Sequence, residues 1–291
     1  MKNRNYSLHF LCLAAITLLG NAIICAPYKN SNKYNFFAFL VSASAFLLLC
    51  IVGDKAANKV LCKPIPKALK ILFCAATLPL LIYDAVICFK DYTGFVSKVI
   101  LPKTATATVM IITLVAVLFL TLKNDSVLLK FSLVNFGIIA VITVGFFLLS
   151  LPHLRGDNIL IFNTPDIKSS LNQSAEYFLK VFIAALPAVI YEYQKGEKNK
   201  KRQSYKGYFA GILLLGVALL NSIMLFGIYT ASKTDYPYSS AISTVSIGGL
   251  FTRMDGFAYY TFFVSFIVKT TVCLKVALTF FKSIKQLQTK G

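Results

Sequence analysis

Residues 127–151 read VLLKFSLVNFGIIAVITVGFFLLSL, a block of 25 residues with a single charge, Lys130. A helix rises about 1.5 Å per residue, so about 20 apolar residues cross a hydrocarbon core about 30 Å thick. No alternation of period two runs through the block, so it does not read as a barrel strand. Within lipid, a helix also pairs its own backbone groups, which the solvent there cannot do. Seven further apolar runs lie at 8–26, 35–53, 67–89, 104–122, 174–193, 207–231 and 257–281. The expectation is an all-α integral membrane protein with eight transmembrane helices in one domain, 1–291. Most connections are short, so neighbouring helices should run antiparallel.

Composition agrees with that reading. Hydrophobic residues make up 57% of the chain and charged residues 14%, against about 25% charged in soluble domains. Mean hydropathy is +0.70. The seven cysteines mostly sit inside apolar runs, where Cys behaves as a small hydrophobe, and their spacing suggests neither zinc nor a disulfide frame. The start, MKNRN before a long apolar run, resembles a signal peptide. The run exceeds an h-region and no clean A-x-A site follows it, so it reads as the first span.

The formal net charge is +19. Placing the amino terminus inside puts 18 basic residues on the cytoplasmic side, nine outside and three (Lys180, Lys269, Lys275) within spans. This asymmetry predicts that both termini are cytoplasmic, which an even span count requires. The densest loop, QKGEKNKKRQSYK at 194–206, should meet anionic lipid through Lys195 to Lys206. Tyrosines cluster near span ends as interfacial anchors. No basic stripe interleaves with exposed aromatics, so nucleic acid is not an expected partner.

Helix breaks and buried charges are the features that could carry function. The first span contains LLGNAIICAP (18–27), with Gly20, Asn21 and Pro27; the sixth contains VFIAALPAVIY (181–191), with Ala184, Ala185 and Pro187. Discontinuous helices in corresponding places of two halves mark the solute sites of many transporters. The sixth span comes five after the first, the offset of a five-plus-five inverted repeat. Asp84 lies in LPLLIYDAVICF (78–89), Lys269 near the middle of the last span and Lys275 nearer its inner end. A mid-bilayer charge costs about 2.5–3.5 kcal/mol even on insertion scales. Asp84 and Lys269 therefore read as partners or as groups facing a solute cavity, while Lys275 suits snorkelling to the interface. Glu176 and Lys180 stand at an i, i+4 spacing. The two histidines, His9 and His153, belong to no HExxH. With no P-loop, nucleophile elbow or carboxylate metal motif, neither an enzyme nor a cofactor is expected.

Three longer segments connect the spans. FVSKVILPK (95–103) suits a short interfacial helix before Pro102, while 152–173 and 232–256 face outward by the charge count. In the last of these, Tyr236-Pro237 is followed by VSIGG (245–249) and then by Phe251-Thr252-Arg253-Met254-Asp255-Gly256 and an aromatic span. This pattern resembles the seventh-to-eighth helix region of the spore germination permeases, the B subunits of germinant receptors. LLGNAIICAP resembles that family's first helix, and VILPKT (99–104) its Leu-Pro-Thr-Pro segment, with Ala105 where the second Pro stands.

The resemblance implies a LeuT/APC-like inverted-repeat bundle of the amino acid/polyamine/organocation superfamily. It implies a small germinant, often an amino acid, bound between the first and sixth helices at Gly20, Asn21, Ala184, Ala185 and Pro187. It implies an outer loop over that site carrying Tyr236, Pro237, Arg253 and Asp255. The implied partners are a germinant-receptor A subunit and a lipoprotein C subunit in the spore inner membrane. The family has ten helices; against that pattern this chain reads as truncated after its eighth. The competing expectations are a proton-coupled amino-acid transporter using Asp84 or Lys269, and a membrane scaffold that transports nothing.

Overall fold

The structure is a computed structural model that describes residues 2–22, 35–61, 67–158, 167–195, 204–234, 236–244 and 254–289. All regular structure among the described residues is helical. The elements are α1 (Lys2–Ala22), α2 (Asn35–Leu61), α3 (Lys67–Phe95), α4 (Thr106–Leu122), α5 (Asp125–Ser150), α6 (Ile167–Tyr177), α7 (Pro187–Lys195), α8 (Ser204–Lys233), α9 (Pro237–Thr244) and α10 (Asp255–Thr289). Three stretches are long and apolar enough to cross a membrane by length and composition: Asp125–His153, Ser204–Gly227 and Asp255–Lys282. Shorter apolar helices run over Ser7–Gly20, Ala38–Val52 and Thr106–Leu122.

Burial runs opposite to that of a soluble protein on the outer helices. Ile111, Ile112, Val115 and Val141 are 60–74% exposed, while Thr113, Ser132, Asn135 and Thr143 on the same helices are buried. An apolar belt this broad around polar interior positions fits hydrocarbon and not water.

At the centre lie α1 and α10. From Leu13 to Leu19 the α1 side chains are fully buried, as are most α10 residues from Val264 to Val276. Helices in lipid gain little from the hydrophobic effect, so close packing through small residues must hold them together. That is how α8 meets α1. A Cβ on Gly207 would lie 2.1 Å from the Leu11 carbonyl oxygen, and one on Gly211 would lie 2.9 Å from Leu18 Cδ2. The i, i+4 glycines leave a flat stripe on α8 into which α1 sinks.

Two sequence expectations change here. The separate interfacial helix expected before Pro102 does not form. Instead α3 runs to Phe95 and continues as a π-helical turn over Val96–Ile100, with Phe95 fully buried against Tyr236, Tyr259 and Phe262. Packing of Phe95 on α10 extends the helix beyond the apolar run. Nor does α1 break at Gly20–Asn21, since it remains helical to Ala22. Residues 23–34, with Pro27, lie outside the described residues.

A real kink occurs in α8 at Gly227, with φ 74° and ψ 156°, a conformation only glycine adopts readily. Just before it, the Met224 carbonyl accepts the Asn158 side-chain amide at 2.8 Å and the Arg155 backbone N–H at 3.2 Å. The segment after α5 is thereby tied to the kink.

Candidate functional site: a buried ion pair beside a broken helix

The sixth apolar segment is not one helix. After α6 the backbone passes through a π turn at Phe178–Phe182 and a 3-10 turn at Ile183–Ala185, and regular helix resumes at Pro187. The dihedrals stay right-handed throughout, with Ile183 at φ −64°, ψ −37° and Leu186 at φ −53°, ψ −28°. What changes is hydrogen-bond register. Pro187 has no N–H to give, so Ile183 accepts instead from Leu186 three residues on, at 3.0 Å. Pro187 then starts α7, where a missing donor costs nothing. The Ala185 carbonyl receives the Tyr208 hydroxyl of α8 at 2.5 Å. Tyr208 and Ala185 are both buried. The broken segment lies along α1, with Phe46 of α2 stacked on its Phe182 and Phe39 tilted against it.

Gly20 faces a different neighbour. A Cβ there would lie 2.7 Å from the Ser265 carbonyl oxygen and 2.9 Å from Lys269 Cβ, so α1 and α10 touch backbone to backbone. The Gly20 carbonyl also accepts the Cys88 thiol of α3 at 3.9 Å. Gly20 therefore joins the ion pair. Lys269 Nζ lies 3.1 Å from Asp84 Oδ1, with side-chain exposures of 1% and 16%. Cys273, one turn along α10 from Lys269, donates its thiol to Asp84 Oδ2 at 3.6 Å. Asp84 and Cys88 are likewise i, i+4 on α3, so each helix presents a charge and a thiol to the other. Ser265 and Thr271, on α10 near Lys269, have buried hydroxyls with no partner among the described residues. Asp84, Lys269, Gly20, Cys88 and Cys273 thus form a polar knot where α1, α3 and α10 meet.

The outer motif divides. Tyr236 packs edge-on to Phe95 at 4.7 Å, and Pro237, buried, begins α9. Asp255 opens α10, where a carboxylate suits the positive helix end, and accepts the Tyr259 hydroxyl at 3.2 Å. Arg253, the Asn21 and Ala184 side chains, and residues 196–203 of the basic loop lie outside the described part.

Three contacts were not anticipated from sequence. Tyr260 donates to Asn135 Oδ1, Thr143 and Tyr238 share a hydrogen bond at 3.3 Å, and Ser150 donates to Asn221 Oδ1 at 2.5 Å. The available signal was a polar residue at mid-span in each case, the positions that lipid penalises most.

A lipid-facing apolar belt around a helical bundle with an internal ion pair defines a helical membrane protein. Its lineage is equally plain: the family model described as spore germination protein matches residues 34–291, and the chain belongs to that spore permease family. Neither curated proteins nor solved structures gave a match.

Proposed function

We propose that this chain is a permease-like subunit of a spore germinant receptor that binds a small germinant, such as an amino acid, between α1 and the α6–α7 break, and signals germination. The observation that carries the reading is the loss of regular helix at 178–186 in a segment packed along α1. Irregular backbone at membrane depth survives only against protein or a cavity, and such breaks are where transporter-like folds bind solute. In this reading the bundle is LeuT/APC-like with eight spans and both termini cytoplasmic. It sits in the spore inner membrane and works with an A subunit and a lipoprotein C subunit.

Calorimetric titration of the chain in nanodiscs with single amino acids tests it. One amino acid should bind, and Ala185→Leu, which crowds the break against Tyr208, should abolish that binding while helicity is kept. If no amino acid binds, and spores lacking the chain germinate normally, the reading fails.

The Lys269–Asp84 pair favours a second reading, a proton-coupled amino-acid transporter in which that pair titrates. Proteoliposomes carrying the chain would then accumulate labelled amino acid under a proton gradient, and Asp84→Asn would stop it. Binding without uptake would leave the sensing role alone.

A further inference from the structure

Toward the opposite end of α10 from Asp255, the turn between α4 and α5, the end of α7 and residues 275–282 of α10 line a cleft of about 240 Å³. Four lysines line it, Lys123, Lys195, Lys275 and Lys282, with one carboxylate, Asp125. Four positive charges against one negative leave +3.

That carboxylate is already committed. Asp125 Oδ1 accepts the Tyr191 hydroxyl at 2.8 Å and Lys275 Nζ at 3.1 Å, and Oδ2 pairs with Lys195 Nζ at 3.0 Å. Lys275 spends a second donor on the Lys123 carbonyl at 2.6 Å. Among the described residues neither Lys123 nor Lys282 forms an ion pair. Lys123 instead holds its ammonium over the Phe119 ring, 4.9 Å from the centroid.

The cleft is one-sided in polarity. Leu122 and Leu278 also line it and are 84% and 49% exposed. Phe119 and Phe281, on the same two helices, are 58% and 62% exposed. These side chains continue the belt that faces hydrocarbon, so the lysines stand directly above an acyl-chain surface. The charge count places this end at the cytoplasmic leaflet, which carries anionic lipid.

We propose that this cleft is a binding site for an anionic glycerophospholipid, its phosphate held by Lys123 and Lys282 and its chains lying against Leu122 and Leu278. A free phosphate ion would use the same ammonium groups but gain nothing from the leucines, and that separates the two sources. The site shares Lys195 with the basic loop at 194–206, but the two lysines assigned to the phosphate, Lys123 and Lys282, come from the α4–α5 turn and α10.

The full chain in phosphatidylcholine nanodiscs, with and without phosphatidylglycerol, gives the test, with retained phosphatidylglycerol counted by native mass spectrometry. Removing two headgroup contacts in K123Q/K282Q should weaken phosphatidylglycerol retention about thirtyfold. K59Q/K130Q removes equal charge from α2 and α5, outside the cleft lining, and should leave retention near wild type. K123R/K282R should preserve it, which separates charge from folding, and helicity by circular dichroism should match in all variants. L122N/L278N should also reduce retention. Equal losses in the two glutamine doubles would reduce the effect to general surface charge and overturn the site. If inorganic phosphate displaces the lipid and L122N/L278N has no effect, the occupant is a free anion and the lipid assignment is overturned.

Discussion

The last helix carries two lysines six residues apart, and each meets an aspartate at 3.1 Å, yet the two pairs live in different media. Lys269 and Asp84 are 1% and 16% exposed; Lys275 and Asp125 are 9% and 35% exposed. The deep pair is joined by the Cys273 thiol, which donates to Asp84. The shallow one is a hub with a tyrosine hydroxyl, a second lysine and a backbone carbonyl. Depth explains the contrast. Charges at the interface can be solvated from several sides, so Asp125 gathers whatever donors pass. Charges at membrane depth lean chiefly on each other, and neither can be removed cheaply. The same chemical pair is therefore a structural necessity in one place and an adjustable surface feature in the other.

The most severe way to break the comparison is to orphan the deep lysine. Asp84→Asn should destabilise the bundle by about 3–5 kcal/mol, because it leaves Lys269 buried without a counter-charge. Unfolding in a detergent titration measures the loss. Replacing both partners with leucine and methionine should recover most of it, since an apolar pair carries no desolvation cost. Equal instability in the single and double variants would mean the ion pair matters for more than charge compensation.

Next in size are two glycines, Gly20 and Gly227, with Gly137 as the control. Gly20→Ala pushes a methyl onto the Ser265 carbonyl and Lys269, and should cost about 1–3 kcal/mol by forcing α1 and α10 apart. Gly137→Ala on α5, with nothing within 4 Å of the added Cβ, should be neutral or stabilise by up to about 1 kcal/mol. Gly227→Ala, at φ 74° and ψ 156°, should cost about 1–3 kcal/mol through backbone strain alone. Parallel thermal melts compare the three, and a neutral Gly20→Ala would mean that α1 and α10 have slack around the ion pair.

Hydropathy alone makes α5, α8 and α10 legible, because lipid imposes a length and a composition that nothing else imposes. Lys269 was legible as an anomaly, since its depth makes snorkelling too costly, and the cost argument pointed to Asp84 as one of its possible partners. Pro187 announced the break in the sixth segment, but not the π and 3-10 turns that realise it, which depend on Phe182 stacking on α2. Gly20 read as a helix breaker because glycine frees the backbone. In the structure it serves close approach, a role set by α10, which lies some 240 residues away in the chain. Asp125 was invisible for a related reason: a charge at a span end looks like ordinary solvation, and only the folded arrangement brings Tyr191, Lys195 and Lys275 to it.

The smallest expected effect sharpens the comparison most. Asp125→Asn keeps an acceptor for the Tyr191 hydroxyl and leaves Lys195 and Lys275 within reach of water and the Lys123 carbonyl. A pair this exposed should lose no more than about 1 kcal/mol. The loss should shrink further as salt is raised toward molar levels, where the screening length falls to about 3 Å. Asp84→Asn, out of reach of mobile ions, should show no such salt dependence. Detergent titrations of both variants at low and high salt read the two slopes together. If Asp125→Asn costs as much as Asp84→Asn at every salt concentration, the hub is a buried latch joining α5, α7 and α10, and depth is not what divides the two pairs. If its cost is small and salt-sensitive while that of Asp84→Asn is large and flat, then position along α10 alone turns one lysine–aspartate contact into a constraint on the fold and the other into a group free to serve the membrane surface.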